Sequence, residues 1–184
     1  MKPTTASLGL LCAALVFLDA TNSQAKSDTE RAGDILQIVI PAAAFGTELH
    51  LRDGKGEGQF LESFLADIGI AYTLKYTVHK ERPEHKGDHA FPSGHTAAAF
   101  QGASFIQKRF GWRYGIPAYV GAAFVGWSRV EGESDEHDAT DVVAGAAIGT
   151  LCTYFFTTSY QGRGVSIAPV VGDGTYGLCI GARW

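Results

Sequence analysis

The chain has 184 residues, 46% of them apolar and 18% charged, and a formal net charge of −4. That length builds one domain with a real core rather than two sizeable ones. The negative balance argues against a nucleic-acid partner, so any anion bound here must be held by a local cluster of cations.

Residues 1–25 read as a secretory leader: Lys2 gives a positive start, Leu8 to Leu18 an apolar stretch, and Ser23-Gln24-Ala25 a small-x-small cleavage site. An uncleaved anchor is the alternative, but the apolar stretch is shorter than the roughly 20 residues a spanning helix needs. Cys12 follows Leu10 and Leu11 instead of the small residues of a lipidation site and belongs to the leader. Export leaves Cys152 and Cys179 in an oxidising compartment, where they either pair or stay separate buried thiols. The expected location is outside the cytoplasm, periplasmic or membrane-associated.

Lys26 to Gly33 reads as a polar lead-in, and a first helix starts at Asp34, with Pro41 as a candidate kink. Asp53 to Gly58 is a loop by composition; it lacks the Gly-Lys-Ser/Thr ending of a nucleotide-binding loop. Gln59 to Lys80 forms a second helix with Phe60, Phe64, Ile68 and Tyr72 on one face. Lys75 lies on it, and Arg82, seven residues on, projects from nearly the same side at the helix end, because Pro83 disfavours helical conformation there. His85 and His89 fall in a polar connection and read as solvated loop histidines.

Pro92-Ser93-Gly94-His95 then opens a third helix over Ser93 to Arg109, rich in Ala and Gly as close helix contact requires. Proline and serine suit a helix start, Gly94 admits an anion to backbone N–H groups, and the helix dipole favours negative charge. Gly111 to Gly115 is a turn, Ile116 to Arg129 a fourth helix, Glu131 to Glu136 an acidic loop, and His137 to about Thr158 a fifth helix. Gly164 to Trp184 alternates around Gly172-Asp173-Gly174 as a β-hairpin does. The reading is all-α, a bundle of five main helices with a short C-terminal hairpin, divided into leader 1–25, helical domain 26–163 and tail 164–184. Mean hydropathy of +0.02 sits between soluble and polytopic chains, and only Val142 to Gln161 is uncharged over a spanning length, so soluble and membrane-inserted readings both stay open.

Lys75 and Arg82-Pro83, then Pro92 to His95, then Ser128-Arg129, His137 and Asp141 follow one another in an order that resembles the type-2 phosphatidic acid phosphatase and vanadium haloperoxidase superfamily. Its pattern is Lys, six residues, Arg-Pro; Pro-Ser-Gly-His; then Ser-Arg, five residues, His, three residues, Asp. One element departs: seven residues, not five, separate Arg129 from His137. The added length brings Glu131, Glu133, Asp135 and Glu136 beside the expected pocket and reads as a longer solvent-facing loop, a degenerate inactive member being the other possibility.

The residue types suit phosphoryl transfer. A phosphate monoester carries close to two negative charges, and Lys75, Arg82 and Arg129 would neutralise and orient it. N–H groups at Ser93 and Gly94 could stabilise its equatorial oxygens. Asp141, four residues after His137 on one helical face, would bind one ring nitrogen and leave the other as a directed lone pair, which makes His137 the nucleophile. The resemblance implies the same, through a covalent phosphohistidine. His95 would be the acid that protonates the leaving alcohol. The cations come from side chains, so no metal or other cofactor is called for. The expected activity is hydrolysis of a phosphomonoester or diphosphate, plausibly on a lipid. The alternatives are a vanadate-dependent haloperoxidase and an inactive envelope protein that kept the fold. Neither the leaving group nor the oligomeric state is legible.

Overall fold

The computed structural model describes residues 27–82, 88–131 and 137–160, and the backbone alone of 164–172 and 175–183. The leader, Pro83, His85, Trp184 and most of the acidic loop lie outside these residues, as does the side chain of Cys179. Cys152 carries a free, buried thiol.

Among the described residues five helices make the bundle: α1 (Asp28–Leu51), α2 (Gly54–Thr77), α3 (Gly94–Phe110), α4 (Trp112–Val130) and α5 (Ala139–Phe156). The all-α class rests on them. Helix α1 begins earlier than expected, because Ser27 and Glu30 close a capping box: Glu30 N–H donates to Ser27 Oγ (3.3 Å) and Ser27 N–H to Glu30 Oε2 (3.0 Å). Pro41 lies inside that continuous helix.

The glycine-rich segment is a second correction. It is the first turn of α2, started by Asp53, whose Oδ1 accepts from Lys55 N–H (3.2 Å). Gly56 is needed there for contact, since a Cβ would stand 2.2 Å from Glu48 Oε2 and 2.7 Å from Arg109 Nη2. At its other end α2 stops at Thr77, so Arg82 lies beyond the helix rather than at its end. The expected turn at Gly111 to Gly115 shrinks to Gly111, whose φ of 88° makes the reversal by itself and lets α4 start at Trp112.

Helix α3 packs against all four others. Its closest neighbour is α5, where a Cβ on Gly145 would meet the Ser93 carbonyl at 2.4 Å and one on Gly149 the Ala97 carbonyl at 2.3 Å. The core is correspondingly small-sided: Ala97, Ala99, Ala103 and Ala122 are buried with Phe60, Phe64, Phe105 and Val125. Large apolar side chains face outward instead, among them Ile35 (61% exposed), Val120 (66%), Leu151 (68%) and Phe155 (87%). Helices α1 and α5 are each long and apolar enough to cross a bilayer.

Candidate active site

The starts of α1, α3 and α5 and the ends of α2 and α4 meet at one end of the bundle, drawn together by hydrogen bonds of the connecting segments. His89, at a φ of 73°, donates from Nδ1 to the Lys75 carbonyl (2.8 Å) and packs its ring near those of Tyr76 and His79. It is therefore a latch on the end of α2 and not a solvated loop histidine. Ala90 N–H donates to the Lys80 carbonyl (2.9 Å), and Ser93 N–H to the Asp141 carbonyl (3.0 Å). These bonds bring the Pro-Ser-Gly-His segment against the start of α5.

His137 lies outside α5, two residues before its first turn. Asp138 is the N-cap, with extended backbone (φ −92°, ψ 172°), and its Oδ1 accepts from the N–H groups of Thr140 (2.8 Å) and Asp141 (3.1 Å). A cap residue cannot be helical, so the expected one-face relation of His137 and Asp141 does not arise. The two residues still meet, with His137 Nδ1 3.6 Å from Asp141 Oδ2. That is an ion-pair distance rather than a hydrogen bond, and Nδ1 has no hydrogen-bond partner. Both side chains are buried.

Lys80, read from the sequence only as the end of a helix, holds this pair in place. Its ammonium donates to Asp138 Oδ2 (2.6 Å), Thr140 Oγ1 (2.8 Å) and Asp141 Oδ1 (2.7 Å), which accounts for all three of its hydrogens. Burial pulls its proton affinity down, but the hydrogen bonds and charges of the two carboxylates outweigh this and hold it above the ordinary lysine range. Asp138 is held well below the usual carboxylate range, first by Lys80 and then by Thr140.

A second cluster forms where α1 meets α4. Arg129 is buried, donating from Nη1 to Asp34 Oδ1 (3.0 Å), from Nη2 to the Glu30 carbonyl (2.8 Å) and from Nε to Ser128 Oγ (3.3 Å). His95 Nε2 stands 3.3 Å from the same Asp34 oxygen. The structure thus brings His95 and Arg129 to one point, and His137, Asp141 and Ser93 to another, with the start of α3 and its N-cap Ser93 linking the two.

One expected contribution changes. Ser93 N–H is spent on the Asp141 carbonyl and its Oγ pairs with Thr96 Oγ1 (3.0 Å), so of the two proposed backbone donors Gly94 remains the candidate. Lys75 is half-buried, with Nζ 6.0 Å from the centre of the Tyr72 ring, and Arg82 is half-buried in the segment after α2. Among the described residues no group of three or more His, Cys, Asp or Glu side chains is arranged to hold a metal ion.

Two histidine–carboxylate clusters, one of them sharing a buried arginine, stand at one end of the helical bundle, and the protein is a hydrolase of the phosphatase class. The chain belongs to the PAP2 superfamily, whose family model matches residues 63–164. This is the superfamily read from Lys75 to Asp141, and the matched span includes every one of those motifs. The chain is similar to the lipid A 4'-phosphatase of Helicobacter pylori, 29% identical over an alignment of 171 positions that covers 84% of this chain and 85% of that protein. It is also similar to the lipid A 1-phosphatase of Porphyromonas gingivalis, 37% identical over an alignment of 86 positions that covers 45% of this chain and 19% of that much longer one. Among solved structures, the crystal structure of Aquifex aeolicus LpxE shares the fold with a TM-score of 0.52 and 19% identity, over 79% of this chain and 92% of that one.

Proposed function

We propose that the protein removes phosphate from a phosphorylated lipid at a membrane, through a phosphohistidine on His137. The observation that carries this reading is the buried His137–Asp141 pair: Nδ1 faces the carboxylate, which leaves Nε2 as the nitrogen able to attack phosphorus. Arg129, Lys75, Arg82 and the Gly94 N–H hold the nonreacting oxygens. As the bond from His137 Nε2 to phosphorus forms, the bond to the leaving alcohol breaks, and His95 gives that oxygen its proton. Neutral His95 then takes a proton from water as the water attacks phosphorus. The phosphorus–nitrogen bond breaks, and inorganic phosphate leaves. Lys80 stays outside these steps and positions Asp141.

The two relatives' names support a lipid carrying a phosphate monoester, with a lipid A-type glycolipid as the first candidate. The outward-facing Ile35, Val120, Leu151 and Phe155 suit a lipid-facing surface, because a soluble bundle buries its large apolar side chains and exposes small and polar ones. The leader read at residues 1–25 supports a site outside the cytoplasm, where export would deliver it. The division into leader 1–25, helical domain 26–163 and tail 164–184 belongs to the same proposal. The tail's hairpin likewise belongs to the proposal, drawn from its alternation around Gly172-Asp173-Gly174.

The test is phosphate release by the detergent-purified protein from a lipid A-type phosphoglycolipid, compared with a soluble aryl phosphate. Turnover of the lipid, covalent capture of radiolabelled phosphate and loss of both in His137→Ala are expected. Labelling that survives this substitution refutes the nucleophile assignment, and turnover of the soluble ester alone refutes the lipid.

A further inference from the structure

Four rings stand in a row along the rim of the candidate site. Tyr72, Lys75 and Tyr76 share one stripe of α2, at positions i, i+3 and i+4. Ring centres are 6.3 Å apart from Tyr72 to Tyr76, 5.3 Å from Tyr76 to His89 and 5.6 Å from His89 to His79. The row is tied to the proposed reacting groups at two points. His79 adjoins Lys80, which holds Asp141, and His89 adjoins Ala90, in the segment whose Ser93 N–H donates to the Asp141 carbonyl. His89 Nδ1 also fixes the backbone of Lys75, an expected phosphate cation, by donating to its carbonyl. The tyrosine rings nevertheless stay open, Tyr76 at 62% exposed and Tyr72 at 40%, so packing inside the bundle does not account for them.

We propose that this row is the subsite for a sugar ring that carries the phosphate, so that the enzyme prefers a phosphoglycolipid to a phosphoglycerolipid. The inference rests on the reading of Lys75 and His137 as groups that meet the phosphate. The residue types choose the occupant. A pyranose has a face of C–H bonds and a rim of hydroxyls. Aromatic ring faces are negative and attract the C–H face, while phenol and imidazole edges exchange hydrogen bonds with the hydroxyls. An acyl chain gains nothing from those polar edges and fits the outward-facing Ile35, Val120, Leu151 and Phe155 better. The Lys75 ammonium stands 6.0 Å from the centre of the Tyr72 ring, which sets the cation beside the ring row. A phosphate bonded directly to a sugar requires that adjacency.

The subsite is tested on the full-length protein in detergent, by comparing KM for a lipid A-type phosphoglycolipid with KM for phosphatidic acid, a monoester on glycerol. Tyr76→Leu keeps an apolar side chain and removes the ring. It is expected to raise the ratio of the two KM values, phosphoglycolipid over phosphatidic acid, by about tenfold. Tyr76→Phe keeps the ring and is expected to retain most of the wild-type preference. Inhibition constants for soluble glucosamine phosphate and glycerol phosphate should shift in the same sense, with no membrane contact involved. An unchanged ratio in Tyr76→Leu overturns the subsite, whether neither KM moves or both rise together, as loss of a membrane-interface anchor would give. So does a loss in Tyr76→Phe as large as in Tyr76→Leu, or wild-type turnover of phosphatidic acid alone. Wild-type protein that releases phosphate from neither lipid strikes instead at the reading on which the subsite rests.

Discussion

The ammonium of Lys80 lies 2.7 Å from Oδ1 of Asp141, a residue 61 positions further along the chain. Asp141 is fully buried, and its other oxygen faces His137. One lysine in a connecting segment therefore neutralises the carboxylate that orients the proposed nucleophile. Lys80→Met is expected to lower kcat by on the order of tenfold to a hundredfold, the range for loss of an orienting partner, with KM little changed. Lys80→Arg should recover part of the loss. A fall in KM-governed binding alone, seen in steady-state kinetics, would place Lys80 among the phosphate ligands instead.

Asp138 titrates far below its ordinary range in the folded protein because Lys80 and Thr140 stabilise the carboxylate. A depressed carboxylate contributes stability that is fully present above the unfolded value near 4 and is lost as pH falls below it. Asp138→Asn is expected to flatten the acid-side decline in melting temperature. The cost at neutral pH should be about 1 kcal/mol or less, since the side chain is 45% exposed and solvent screens the pair. Melting curves between pH 2 and 7 check this, and an unchanged acid slope would contradict it.

At the opposite end, Arg109 is almost wholly buried and donates to Glu48 through Nε (2.8 Å) and Nη2 (3.2 Å), to Asp53, and to the Thr158 carbonyl (3.0 Å). Arg109→Met leaves Glu48 as a buried charge without its cation and should cost about 3–5 kcal/mol. The loss should show in denaturant unfolding. Replacing Glu48 and Arg109 together by Gln and Met should recover a large part of it.

Gly145 sets the approach of α5 to α3. With a Cβ only 2.4 Å from the Ser93 carbonyl, Gly145→Val forces the helices apart where Ser93 N–H meets the Asp141 carbonyl. Activity is expected to fall at least tenfold even in protein that remains folded, because displacing reacting groups by about 1 Å costs about a hundredfold. Wild-type kinetics in this variant would show that the contact does not position the site.

What was legible from sequence was local. Pro-Ser-Gly-His at a helix start, the Lys75–Arg82 spacing and the Arg129–His137–Asp141 order identify a superfamily and a phosphatase because residue type and spacing carry that chemistry by themselves. Helices α3, α4 and α5 were readable from apolar runs and small residues. One local signal was available and went unused: Ser27-Asp28-Thr29-Glu30 is a capping box, and it marks the true start of α1. Asp138, a good N-cap residue just before an apolar run, likewise pointed to His137 lying outside α5.

The rest was decided by tertiary contact. Gly54 to Gly58 has the composition of a loop, yet it is helical because Gly56 must pass close to Glu48 and Arg109, and packing outweighs weak helix propensity. Lys80, His89 and Asp34 look like ordinary surface residues in a linear reading. Their roles arise only when segments 14 to 95 positions apart are folded onto one end of the bundle. Spacing along the chain can name the residues that a reaction needs. Which acidic residue neutralises which cation is a matter of distance in space, and the sequence contains that only through the fold.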